Sequence, residues 1–148
     1  MDLTTMNDSK NYLLGFDPGR DKCGLAVMDE PGTVYDHVVI PSSEAIAQIE
    51  QYRRKYPINQ IIMGNQTTAK IWQQQLGEAL SPPLPVVLVD ERNSSLEARD
   101  RYWEMYPPQG LTRLIPQGMR VPPRPIDDIV AILLIERYFR SVEHPSSG

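Results

Sequence analysis

The chain is 148 residues long and carries 15 Lys and Arg against 19 Asp and Glu, a formal net charge of −4. With 41% hydrophobic and 23% charged residues it reads as one globular domain over residues 1–140 with a disordered tail at 141–148. A domain of this size buries roughly two-thirds of its unfolded surface and needs no disulfide or structural metal to fold. Its lone cysteine, Cys23, and the lack of any zinc-site spacing of Cys and His point to a reducing, cytoplasmic setting. No run approaches the roughly 20 apolar residues that span a bilayer, and the start MDLTTMNDSKN lacks the order of a signal peptide, so no membrane partner is expected. The acidic balance argues against a broad basic face for phosphodiesters. It is unevenly spread: residues 1–90 hold 7 basic and 11 acidic residues, whereas residues 91–148 hold 8 of each, every base being Arg.

The first predicted strand, NYLLGFD at 11–17, ends on Asp17 and runs into Pro18-Gly19-Arg20, a type II turn signature. Residues 22–28 (KCGLAVM) return as a second strand, Glu30-Pro31-Gly32 turns again, and 33–40 (TVYDHVVI) form a third, which makes an antiparallel meander. Ser42 or Ser43 is the candidate cap of a helix with Ile46, Ile49, Tyr52 and Tyr56 at helical spacing, ended by Pro57. A short strand follows at 58–64. Thr67 or Thr68 caps a second helix that places Ala69, Trp72, Leu76, Ala79 and Leu80 on one face and stops at Ser81-Pro82-Pro83. The apolar run 84–90 (LPVVLVD) predicts a strand covered on both faces. Ser94 and Glu97 have capping-box spacing at the start of a third helix. Residues 107–125 hold six of the 14 prolines and no acid, a long loop of the kind that is functional or disordered. Ile126, Ile129, Val130, Leu133 and Leu134 then mark a core-facing helix to about 139.

The order is β-β-β-α-β-α-β-α-α. Right-handed crossovers place the strands ending at Gly64 and Asp90 parallel to the first, in one mixed five-stranded α/β sheet flanked by helices. Ligands gather at the carboxyl edge of parallel strands, where Asp17 and Asp90-Glu91 lie. Asp127 and Asp128 open the last helix. Acids converging on one rim raise each other's pKa unless a cation joins them, and hard oxygen ligands call for Mg2+ or Mn2+. Two such ions about 4 Å apart are an arrangement for phosphodiester hydrolysis. Simpler readings stand beside this one. The helix macrodipole alone favours Asp127 and Asp128, Asp17 can accept turn hydrogen bonds, and Asp90-Glu91-Arg92 can be a solvated loop.

LLGFDPGRDKCGLAV, VDERNSSLEA and PIDDIVAILLIERY, in this order over about residues 12–140, resemble the RuvC-type Holliday-junction resolvases and the YqgF group of pre-16S rRNA-processing nucleases. The resemblance implies an RNase H-like fold and a nuclease that uses two Mg2+ or Mn2+ ions on structured RNA or branched DNA. It implies Asp17, Glu91 and Asp127 as catalytic, metal-binding acids, with Asp128 as a further ligand candidate. Two acids stand adjacent in the last helix where RuvC enzymes space them three apart, which favours the YqgF side. The loop before that helix is longer and richer in proline than in YqgF proteins, but Arg113, Arg120 and Arg124 keep it basic and suited to phosphate.

Arg20 in the first turn and Asn65 after the middle strand are substrate-binding candidates as well as ordinary turn residues. Trp72, Trp103 and Cys23 fit the core better than a base-stacking or reactive role. Neither His37 nor His144 is placed as a ligand or base. A non-cleaving RNase H-like domain that binds nucleic acid or a protein is the alternative function. A sugar-kinase-like or actin-like ATPase, suggested by the D-P-G turn, would need two such domains. A two-fold junction would require a homodimer, a single-site RNA nuclease only a monomer.

Overall fold

The computed structural model describes residues 11–143. Five strands form one sheet in the order β3-β2-β1-β4-β5. They are β1 (Tyr12–Asp17), β2 (Lys22–Asp29), β3 (Val34–Pro41), β4 (Ile58–Gly64) and β5 (Val86–Val89). The meander pairs antiparallel, and β4 and β5 run parallel to β1. Four α-helices accompany them: α1 (Ala45–Lys55), α2 (Ala69–Ala79), α3 (Ser94–Met105) and α4 (Asp127–Glu143). None among the described residues is long and apolar enough to cross a membrane.

Strand alternation divides the core in two. Leu14, Phe16, Leu25, Val27, Ile61 and Met63 face α1 and α2. Leu13, Ala26, Met28 and Ile62 face α3 and α4, whose Ala98, Ile129, Ile132 and Leu133 cover them. Cys23 is a fully buried core side chain. Trp72 packs edge-on to Phe16 at 5.0 Å, and Trp103 packs against the other half, so both tryptophans serve the core. Arg101 ties α3 to α4 through a two-pronged bond to Glu136, at 2.9 and 2.7 Å.

Two glycines let α4 lie against the sheet. A Cβ at Gly15 would stand 2.3 Å from the Ala131 carbonyl oxygen, and one at Gly24 would stand 1.9 Å from that of Asp127. Gly24 pairs with Asp17 across β1 and β2, so the start of α4 is pressed beside the end of β1.

Several local expectations are corrected. Gly19 does not have the positive φ that a type II turn requires; it is small because a Cβ would meet the Lys22 carbonyl oxygen at 2.4 Å. Ser42 and Ser43 do not cap α1: they lie in a 3-10 turn, and the Ser42 hydroxyl donates to the Gly19 carbonyl at 2.8 Å. Thr68 is the residue before α2, but its side chain makes no capping bond. The capping box of Ser94 is absent, because Asn93 holds the cap position and the Glu97 carboxylate accepts from Arg137 at 2.8 Å. Strand β5 is shorter than residues 84–90 and lies at the sheet edge, so Leu88 stays 39% exposed in place of being covered on both faces. Helix α4 continues through Glu143, so residues 141–143 are helical where a tail was expected; residues 144–148, with His144, lie outside the described residues.

Candidate active site

Each of the three predicted acids is placed by a different part of the chain. Asp17 closes β1 at the carboxyl edge of the sheet and is half-buried. Asp127 begins α4, and its backbone rests on Gly24, next to Asp17. Glu91 follows β5 and folds over the end of β4, where its Oε2 lies 2.8 Å from the position a Cβ on Gly64 would take. A side chain at residue 64 would therefore displace that carboxylate. Asp90, by contrast, faces solvent and accepts the Arg92 N–H at 3.0 Å.

Electrostatics follow from this packing. Burial, then the charge of Asp127, a hydrogen bond shared with it and the charge of Glu91, push the Asp17 carboxyl up to about 8. Two carboxyl groups that share a hydrogen bond must hold a proton between them, or a cation in its place. Glu91 is also raised, by burial and by Asp90, against the opposing charge of Arg137.

The structure sends Asp128 elsewhere. It is 2% exposed, with Oδ2 2.6 Å from His37 Nδ1 and Oδ1 accepting from Arg124 Nη1 at 3.0 Å. Burial pushes its carboxyl up, but the bonds from His37 and Arg124 prevail and hold it below the ordinary carboxylate value. Asp128 thus anchors α4 to β3 and does not join Asp17. His37 is the residue that sequence reasoning missed: its partner is 91 positions away, and no local pattern links them. Replacing His37 with Ala should leave Asp128 short of a partner. The expected cost is about 1–3 kcal/mol in a denaturant titration.

The predicted phosphate-binding residues divide. Arg124 also donates to the Pro125 carbonyl at 2.6 Å and lies over the Tyr102 and Tyr106 rings, so it is engaged within the protein. Arg120 donates to the Ile115 carbonyl at 2.9 Å and lies over Trp103. Arg113 is exposed in the first of two 3-10 turns that shape the loop. The loop is tied to α3 by Arg99, which reaches the Gly118 and Arg120 carbonyls, and by Gln117, which donates to Asp100. Arg20 is exposed and lines a cleft with Gln66 and Thr68 beyond the β1 turn. Asn65 is exposed too, its N–H bonded to the Val89 carbonyl.

Among the described residues, no three His, Cys, Asp or Glu side chains stand at metal-binding spacing. The Asp17 and Asp127 pair nevertheless fits a hard cation. Its donors are all carboxylate oxygens, and Mg2+ characteristically takes one or two protein carboxylates, completing its shell with water and substrate phosphate. The charge of Glu91 also reaches Asp17.

Similarity to known proteins bears on the fold and the family. The structure of Thermus thermophilus RuvC in complex with Holliday junction substrate superposes with a TM-score of 0.54 at 15% identity, covering 90% of this chain and 96% of that one. A second T. thermophilus RuvC structure gives 0.52 at 13% identity, covering 90% and 97%. These likenesses show the RNase H-like fold. No curated protein sequence matches the chain. The family described as RuvX, Holliday junction resolvase, matches residues 11–141, which include all three motifs and all three acids. The chain therefore belongs to the RuvX family of Holliday junction resolvases.

Proposed function

We propose that the protein hydrolyses phosphodiester bonds in structured nucleic acid, with Asp17, Glu91 and Asp127 as its catalytic acids and divalent metal as cofactor. The observation that carries this reading is the meeting of Asp17 and Asp127 at the carboxyl edge of the sheet, with Glu91 beside them. A structural role would favour a neutralising Lys or Arg there, as Asp128 has in Arg124.

Asp17 and Asp127 would hold the first metal, and Glu91 would supply a ligand from the β5 side. When bound, Mg2+ or Mn2+ supplies charge neutralisation at the phosphoryl group and a more acidic attacking water. The protein contributes position. Gly15 and Gly24 set the depth of α4, Gly64 admits the Glu91 carboxylate, and the His37 and Asp128 pair keeps the first turn of α4 from rotating. Half-burial of Asp17 limits competing water and strengthens its interactions.

Both a four-way DNA junction and a structured precursor RNA suit this site, and the fold neighbour solved with a Holliday junction makes the junction the first substrate to test. Cleavage dependent on Mn2+ and lost in Asp17→Asn is the expected result on at least one of them. A junction substrate would require two copies of the chain, one for each strand cut. No cleavage of either polymer by the wild type, together with binding, would favour the non-cleaving RNase H-like domain.

A further inference from the structure

The Pro-rich loop was expected to hold the substrate backbone, yet two of its three arginines are engaged inside the protein. A different cationic surface lies on the other side of the acids. At the β5 edge a cleft of about 620 Å³ is lined by Arg92, Asn93, Arg137, Arg140 and Ser141, with Asp90 the one carboxylate among the described lining residues. For a chain with a net charge of −4, two exposed guanidinium groups, Arg92 and Arg140, beside an engaged third, Arg137, are a local exception.

We infer that this cleft binds the phosphodiester backbone of the substrate strand and leads it to the acid cluster. The inference rests on the nuclease reading above and specifies where that substrate lies. Arg92 is 84% exposed on its side chain and directly follows Glu91, so a phosphate held there is one residue from the site. Its nearest acid, Asp90, is 3.6 Å away and itself 60% exposed, a weak pairing that phosphate can replace. Arg137 is engaged like Arg120 and Arg124, Nη1 donating to the Asp90 carbonyl at 2.7 Å and Nη2 to Glu97 at 2.8 Å, so it shapes the cleft and leaves phosphate to Arg92 and Arg140. Arg140, one turn further along α4, is exposed. Guanidinium forks match phosphate oxygens better than ammonium groups do. Helix α3 begins at the same place without a side-chain cap, which adds its positive end to the cleft. Among the described residues, strand β5 has no neighbouring strand on its outer side.

The test is fluorescence anisotropy in EDTA, which suppresses cleavage, with a fluorescein-labelled four-way DNA junction and a fluorescein-labelled RNA hairpin. Arg92→Ala/Arg140→Ala is compared with wild type and with Arg113→Ala, and unchanged thermal unfolding confirms that each variant is folded. The double variant should bind about tenfold or more weakly, and its log Kd should lose about two units of slope against log salt on the junction. Arg113→Ala should stay within about twofold of wild type. Arg92→Lys/Arg140→Lys should recover most of the slope but only part of the affinity. Loss on the junction, the RNA or both supports the cleft and identifies the polymer it takes. Unchanged affinity and slope in the double variant, or an equal loss in Arg113→Ala, would overturn the inference while wild-type cleavage still upheld the nuclease. Failure of the wild type to bind either probe would overturn the cleft, and failure to cleave either in Mn2+ would overturn the nuclease reading as well.

Discussion

Asp17→Asn is expected to abolish cleavage and, in the same protein, to raise the stability of the metal-free fold. Removing a carboxylate that holds the metal should lower the rate at least about a hundredfold, since even the groups that orient metal ligands are worth about 10- to 100-fold. The stability gain comes from the same geometry. Asp17 is pushed from an ordinary value of 3.8 up to about 8 by burial and by its acidic neighbours. Between those values the folded protein binds a proton that the unfolded chain does not. Stability without metal therefore falls as pH rises from about 4 to about 8, and levels off above. An amide at residue 17 removes that penalty, so the variant should be more stable than wild type at pH 8, with a higher Tm, and lose the pH slope. Thermal unfolding in EDTA at pH 5 and pH 8, beside a cleavage assay in Mn2+, reads both effects. A variant that is inactive and also less stable would mark Asp17 as a structural residue.

Gly24→Ala should be nearly as damaging to activity for a reason that involves no charge. The new methyl would stand 1.9 Å from the Asp127 carbonyl oxygen and 2.0 Å from its carbon. Both are backbone atoms, so no side-chain rotation can relieve the contact. Overpacking of this kind costs about 1–3 kcal/mol, and here the upper end is expected because α4 must lift as a whole. Lifting it carries Asp127 away from Asp17. A displacement of about 1 Å at a reacting centre is worth roughly 100-fold in rate, so cleavage should fall by that order even where the variant is folded. Denaturant titration and kcat on the same preparation check the two effects. Full activity in Gly24→Ala would show that the closeness of α4 to β2 does not position Asp127.

The elements legible from the sequence were those with a local cause. Alternating apolar residues and turn signals place β1 to β4, and the apolar stripe from Ile126 places α4. The acids Asp17 and Glu91 could be read from short motifs: Asp17 ends β1 and Glu91 lies two residues past β5, at the edge where the parallel strands end. The choice between Asp127 and Asp128 could not. Adjacent helical residues point about 100° apart, and which one meets Asp17 depends on how deeply Gly24 lets the helix sit and on His37 across the sheet. The arginines misled for a related reason. Counting shows where guanidinium groups occur, but whether they are engaged depends on carbonyls and rings that folding brings to them, as with Arg120 and Arg124. Arg137 carried no such signal, being one polar residue on a helix until β5 and α3 close around it. The failed capping box has the same origin: Glu97 has the right spacing, and a distant arginine takes its carboxylate.

The central claim is that Asp17, Asp127 and Glu91 form a metal-dependent catalytic site, and a crystal of the protein grown or soaked in millimolar MnCl2 tests it most directly. An anomalous peak is expected between the Asp17 and Asp127 carboxylates, at about 2.0–2.3 Å from an oxygen of each, with Glu91 drawn toward it or toward a second peak beside it. That peak should vanish in Asp17→Asn. Occupancy only at Asp128 or on surface carboxylates, or no peak at a concentration that supports cleavage, would contradict it.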